Sequence, residues 1–68
     1  MKTLLYDNEL DNAMLFGQYV MVMSEGKLIG GGMIEAYHET EIQVGSRWHS
    51  RNKLTFVVSP APEAFIAF

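Results

Sequence analysis

Sixty-eight residues allow one domain, 1–68, and leave no room for a second. The chain is 49% apolar and has no cysteine, so neither a disulfide nor a thiolate metal site can staple its core. In so short a chain that core is marginal, and packing or association must compensate; the formal charge of −3 excludes coating of nucleic acid by bulk attraction.

The charge is unevenly spread. Residues 1–42 hold two lysines against seven acids, a balance of −5, whereas residues 43–68 hold Arg47, Arg51 and Lys53 against Glu63, a balance of +2. Any anion-binding surface is therefore local to the second half. The longest apolar run, Leu28 to Ile34, is seven residues with three glycines in it, far below the ~20 of a membrane-spanning helix. Asp7, Glu9 and Asp11 interrupt the start where a signal peptide needs a continuous apolar stretch. The expectation is a cytoplasmic chain without a membrane segment.

In chain order, Leu4-Leu5-Tyr6 can open a short strand. Asp7 or Asn8 is placed to cap a helical turn that runs through Phe16, stops at Gly17, and carries a Leu10, Ala13, Met14 stripe. Tyr19 to Met23 reads as a strand, with Tyr19, Met21 and Met23 on one face and Val20 and Val22 on the other. Both faces are apolar, which predicts cover on both sides. Ser24-Glu25-Gly26 is a tight turn. Lys27 to Tyr37 is a strand bent by Gly30-Gly31-Gly32, and neither Gly31 nor Gly32 should accept a β-branched residue.

After a turn at His38-Glu39-Thr40, Glu41 to Val44 alternates as a half-buried strand. Gly45 to Asn52 reads as a polar loop, and Lys53 to Val58 as a strand with Leu54, Phe56 and Val58 on one face. Ile42, Val44, Leu54 and Phe56 are the expected core. Ser59-Pro60-Ala61-Pro62 breaks the strand, and Ala64 to Phe68 forms a fifth strand or an apolar tail.

These elements predict a mainly β fold, a small antiparallel barrel or strongly curved sheet of four to five strands with a short N-terminal helical turn. The stretch Val20 to Tyr37 (alternating strand, glycine turn, glycine-bent strand, aromatic) resembles the opening of an Sm-like barrel, and Leu4-Leu5-Tyr6-Asp7 is similar to the first motif of SH3 domains. Each resemblance covers under half the chain and implies a shape, SH3/Sm-like, without an activity.

The richest segment for chemistry is Arg47-Trp48-His49-Ser50-Arg51-Asn52-Lys53. Two arginines and a lysine beside the only tryptophan suit a protein interface, where Trp and Arg are favoured anchors. The same residues could stack a base and hold phosphates, or simply form a solvated loop. His38 and His49, even with Glu39 or Glu41, lack the tight spacing of metal ligands. Ser46 or Ser50 beside His49 lacks the third group that orients a nucleophile and base. Glu35, Glu39 and Glu41 read as solvent-face charges, and the glycine triplet lacks the Lys and Ser/Thr of a phosphate loop.

The expectation is thus a non-catalytic interaction module without metal or cofactor. It would bind a protein, a second copy of itself included, through Arg47, Trp48, His49, Arg51, Lys53, Phe65 and Phe68. The alternative is a nucleic-acid-binding small barrel that uses the Arg/Trp/Lys loop.

Overall fold

The computed structural model describes residues 2–59; the proline break after Ser59 and the apolar segment with Phe65 and Phe68 lie outside the described residues. Its elements are β1 (Lys2–Thr3), α1 (Asp7–Leu15), β2 (Tyr19–Ser24), β3 (Lys27–Tyr37), β4 (Glu41–Val44), β5 (Arg47–Ser50) and β6 (Thr55–Ser59). The strands form one antiparallel sheet in the order β1-β6-β2-β3-β4-β5. The fold is mainly β with one short helix.

Several expectations need correction. The described residues hold six strands, not four or five. Arg47–Ser50 is a strand and not a loop, because Gly45 (φ +62°) sits at the first central position of a two-residue turn and sends the chain straight back along β4. The sheet is not closed into a barrel: among the described residues no ladder joins β5 to β1. β1 is Lys2–Thr3 and not Leu4–Tyr6, because the Glu9 carboxylate accepts from the N–H groups of Leu5, at 2.8 Å, and Tyr6, at 3.0 Å.

The helix is short and closely fixed at both ends. Its N-cap is Tyr6, not Asp7 or Asn8, and Glu9 reaches back to the free N–H groups as the acid of a capping box does. Those two backbone donors hold the Glu9 carboxyl below the usual carboxylate range, with Lys2 adding to the effect at 3.3 Å. At the other end Gly17 (φ +59°) and Gln18 donate to Met14 and Ala13, a Schellman closure. Leu10 and Ala13 are buried, while Met14 is exposed at the margin of the stripe.

The sheet curls around its core. β3 pairs with β2 through Met33 and with β4 from Ile34 onward, with register shifts at Val22/Met23 and Ile34/Ala36. In a flat sheet β5 and β6, four ladder spacings apart, would be separated by ~19 Å. The rings of His49 on β5 and Phe56 on β6 have centroids 6.4 Å apart. Inside the curl lie Leu4, Leu10, Ala13, Val20, Val22, Ile34, Ile42, Val44 and Phe56. Val58 packs against them on the face expected, and Leu54, expected in the core, is only half-buried against it because it lies in the turn before β6. β6 starts at Thr55 instead of Lys53, since residues 51–54 make the turn that carries the chain across the end of the curl.

The glycines of β3 serve different needs. At Gly32 the backbone has φ +155°, and an added Cβ would meet the Gly45 backbone nitrogen at 3.2 Å and its Cα at 3.3 Å. Neither atom can swing aside. At Gly31 the three atoms nearest an added Cβ all belong to the Tyr19 side chain, its hydroxyl oxygen at 2.5 Å, and Tyr19 is 43% exposed, with solvent to turn into.

The two glycines therefore part company under substitution. Gly32→Val is expected to unfold the domain or cost several kcal/mol, of the order that overpacking and backbone strain reach together. Gly31→Val should fold and lose only ~1 kcal/mol, as Tyr19 is displaced. Thermal melting of the two variants checks this; equal losses would contradict it. A second expectation concerns acid. Because the Glu9 carboxyl is lowered in the folded chain, its stabilisation is complete above the ordinary carboxylate range and is lost as pH falls through the folded value. Melting between pH 7 and pH 2.5 should show Glu9→Gln already destabilised at neutral pH and with a flatter acid limb; parallel limbs for wild type and variant would contradict it.

Candidate interaction surface

A strand directs alternate side chains to opposite faces, so β5 divides the expected cluster. Register places His49 opposite Ile42 and Arg47 opposite Val44, on the inner face, and Trp48 opposite Gln43, on the outer face. His49 is half-buried against Phe56, its Cε1 3.5 Å from where a Gly30 Cβ would stand. Trp48 is 47% exposed and lies beside His38, ring centroids 5.4 Å apart. Arg47 and Lys53 are exposed. Ser50 and His49, as neighbours on one strand, face opposite ways and form no nucleophile–base pair. Among the described residues no group of three or more His, Asp or Glu side chains is placed to hold a metal.

Arg51 has a different task. Its guanidinium pairs with the Asp7 carboxylate at the start of α1, donates to the His38 carbonyl at 3.0 Å and lies 5.5 Å from the Tyr37 ring centroid. Its backbone N–H donates to Thr40 at 2.9 Å. Tyr37 in turn donates its hydroxyl to Asp11 at 2.6 Å, and that bond holds the phenol above its usual range. One side chain thus ties the helix to the β3–β4 turn. No local pattern announces this pairing, since Asp7 and Arg51 are separated by 44 positions.

The larger surface feature is the outer face of β1, β6, β2 and the first part of β3. The ladders place Thr3, Thr55, Val57, Ser59, Tyr19, Met21, Met23, Leu28, Gly31 and Met33 on it. None of these residues is charged. Leu28 is 62% exposed, Met33 50% and Tyr19 43%, so the second face of β2, expected to be covered, is open among the described residues. Antiparallel sheets commonly turn a polar face to water, and this one turns methionine, tyrosine and leucine. Tyr19, Met21 and Met23 were legible from alternation. Leu28 and Met33 were not, because the glycines between them and the register shift opposite Met23 break the period of two.

Two clefts open at the margins. One of about 300 Å³ is lined by Thr3, Leu4, Leu5, Arg51, Asn52, Leu54 and Thr55, and one of about 230 Å³ lies between α1, β1 and β6. No helix among the described residues is long and apolar enough to cross a membrane. No protein-family model, curated protein or solved structure matches the chain.

The roles of Arg51 and Lys53 predict different losses. Arg51→Met should destabilise the domain by about 1–3 kcal/mol, the scale of hydrogen bonds to a charged group. Lys53→Met, at an exposed turn position, should stay within about 0.5 kcal/mol of wild type. Chemical denaturation reads both, and equal effects would mean that Arg51 is not a clip.

Proposed function

We propose that this chain is a small non-catalytic interaction module of SH3/Sm-like shape that binds a protein, a second copy of itself included, through the uncharged outer face of its sheet. The observation that carries the reading is that ten side-chain positions on four adjacent strands hold no charge while Leu28 and Met33 remain half or more exposed. An apolar face of this kind loses free energy in water at about 25 cal/mol per Å² and regains it on being covered. Methionine suits such a face because its unbranched side chain adapts to the surface it meets. Trp48 extends the candidate surface at the sheet's far edge, with exposed Arg47 and Lys53 nearby. The Arg/Trp/Lys cluster supports nucleic acid less well, because Arg51 is committed to Asp7 and His38 and His49 is turned inward.

Leu28→Glu and Met33→Glu provide the test, since both sites are exposed and a charge there should leave melting within about 0.5 kcal/mol of wild type. Each variant should lose the binding seen with the wild-type chain by sedimentation and by capture from native extract. Wild-type binding should persist from 50 to 500 mM salt, whereas phosphate contacts would weaken steeply over that range. Binding that survives both substitutions, or that collapses with salt, overturns the outer-face reading.

A further inference from the structure

The hydrogen-bond parity of β4 and β5 fixes which backbone groups of the edge strand are free. Arg51 N–H donates to the Thr40 carbonyl, so in the register that sets Glu41 opposite Ser50, the pairs Ile42/His49 and Val44/Arg47 exchange hydrogen bonds. The bond from His38 N–H to the Glu41 carbonyl, at 2.9 Å, agrees: Glu41 faces β3, not β5. Trp48 and Ser50 therefore direct both N–H and C=O away from β4. Among the described residues no backbone bond or ladder takes up these groups.

The two edges of the sheet are treated differently. β1 has two residues, its Lys2 is paired with Glu9, and the chain then turns into the helix. β5 has neither proline nor bulge, and a single exposed cation, Arg47, at its start. We propose that the β5 edge takes an extended, acid-bearing segment of another protein as an added antiparallel strand, hydrogen-bonded to Trp48 and Ser50. Of the pair positions on such a strand, the one opposite Trp48 lies on the outer face, where the exposed indole and His38 offer an apolar contact. The position opposite Arg47 follows it in the added strand and favours a carboxylate.

Charge decides against a second copy of the chain as the occupant. Two β5 edges can meet with outward groups aligned either about His49, which sets Arg47 opposite the second copy's Arg51, or about Trp48, which sets it opposite the second copy's His49. Neither register sets a carboxylate opposite Arg47. Of the cations at this edge, Arg51 is neutralised by Asp7, whereas Arg47 and Lys53 are exposed and stand in no ion pair among the described residues. Glu39 and Glu41 lie at the opposite end of the hairpin from Arg47, with Glu41 held 3.4 Å from His38. An acid opposite Arg47 therefore meets an unopposed charge.

The probe is the peptide acetyl-Thr-Thr-Phe-Glu-Thr-amide, titrated to millimolar concentration against the full chain and followed by amide resonances and hydrogen exchange. The amides of Trp48 and Ser50 should shift and exchange more slowly, and replacing the peptide's Glu with Lys should weaken binding about two- to fivefold. Ser50→Pro removes an outward N–H that β4 does not use, so it should melt within roughly 4 °C of wild type and lose the peptide. Arg47→Glu is a second variant, and should reverse the preference between the Glu and Lys peptides. The proposal goes beyond the outer-face reading: Leu28→Glu and Met33→Glu should leave peptide binding intact. Absence of shifts at millimolar peptide, shifts centred on Leu28 and Met33, or full binding by a folded Ser50→Pro variant each overturn it.

Discussion

An eleven-residue strand has to serve two partners here, and the fold depends on its bending. β3 gives its first part to β2 and its last part to β4, and the hand-over comes between Met33 and Ile34, one residue past Gly30-Gly31-Gly32. At that corner the backbones of Gly32 and Gly45 approach so closely that a Cβ on Gly32 would press on the Gly45 backbone at 3.2 Å. Strands that pass from one sheet direction to another usually do so at bulges or bends, and β3 has both. Without this corner, Val20, Val22 and Phe56 on one side could not meet Ile34, Ile42 and Val44 on the other, and the core would be two exposed half-sheets.

The bend alone does not set the helix. α1 has nine residues, too few to be stable by itself in water, and it is positioned by contacts at both of its ends. Leu10 and Ala13 bury its inner stripe, and Arg51 and Tyr37 hold Asp7 and Asp11 on its solvent side. Arg51 thereby replaces what a disulfide does in many small domains, joining segments far apart in sequence, though through a charge pair that salt can loosen. Arg51, one of the three cations that could have held phosphates, is thus committed to the fold.

What was legible in the sequence follows the strength of local signals. Gly17, Gly26 and the alternation of β4 each impose a local geometry that tertiary contacts did not override, so helix end, hairpin and half-buried strand were readable. β5 was not, because an edge strand with no fully buried residue carries no apolar period: Arg-Trp-His-Ser reads as loop until Gly45 is known to reverse the chain in two residues. Tyr6 at the N-cap was also hidden, since Asp7 is the better capping residue by composition and was claimed instead by Arg51. The candidate surface was half visible. The anchor residues could be named, but whether Trp48, His49 and Arg51 point together or apart depends on β5 parity, which sequence without β5 cannot supply.

The division of labour between the two sides of the sheet has a physical origin in size. The described core is nine residues, none of them charged, and the inner face of the curl is fully used by it. A chain this short has few apolar positions to spare, and a sequence selected only for a stable monomer would place lysine or glutamate on the outer face, where they add solubility and do not disturb packing. Retaining methionine, leucine and tyrosine there gives up that solubility across four strands. The proposed contact with another protein surface would cover the outer face, and the proposed added strand would complete the β5 edge, which no ladder occupies among the described residues.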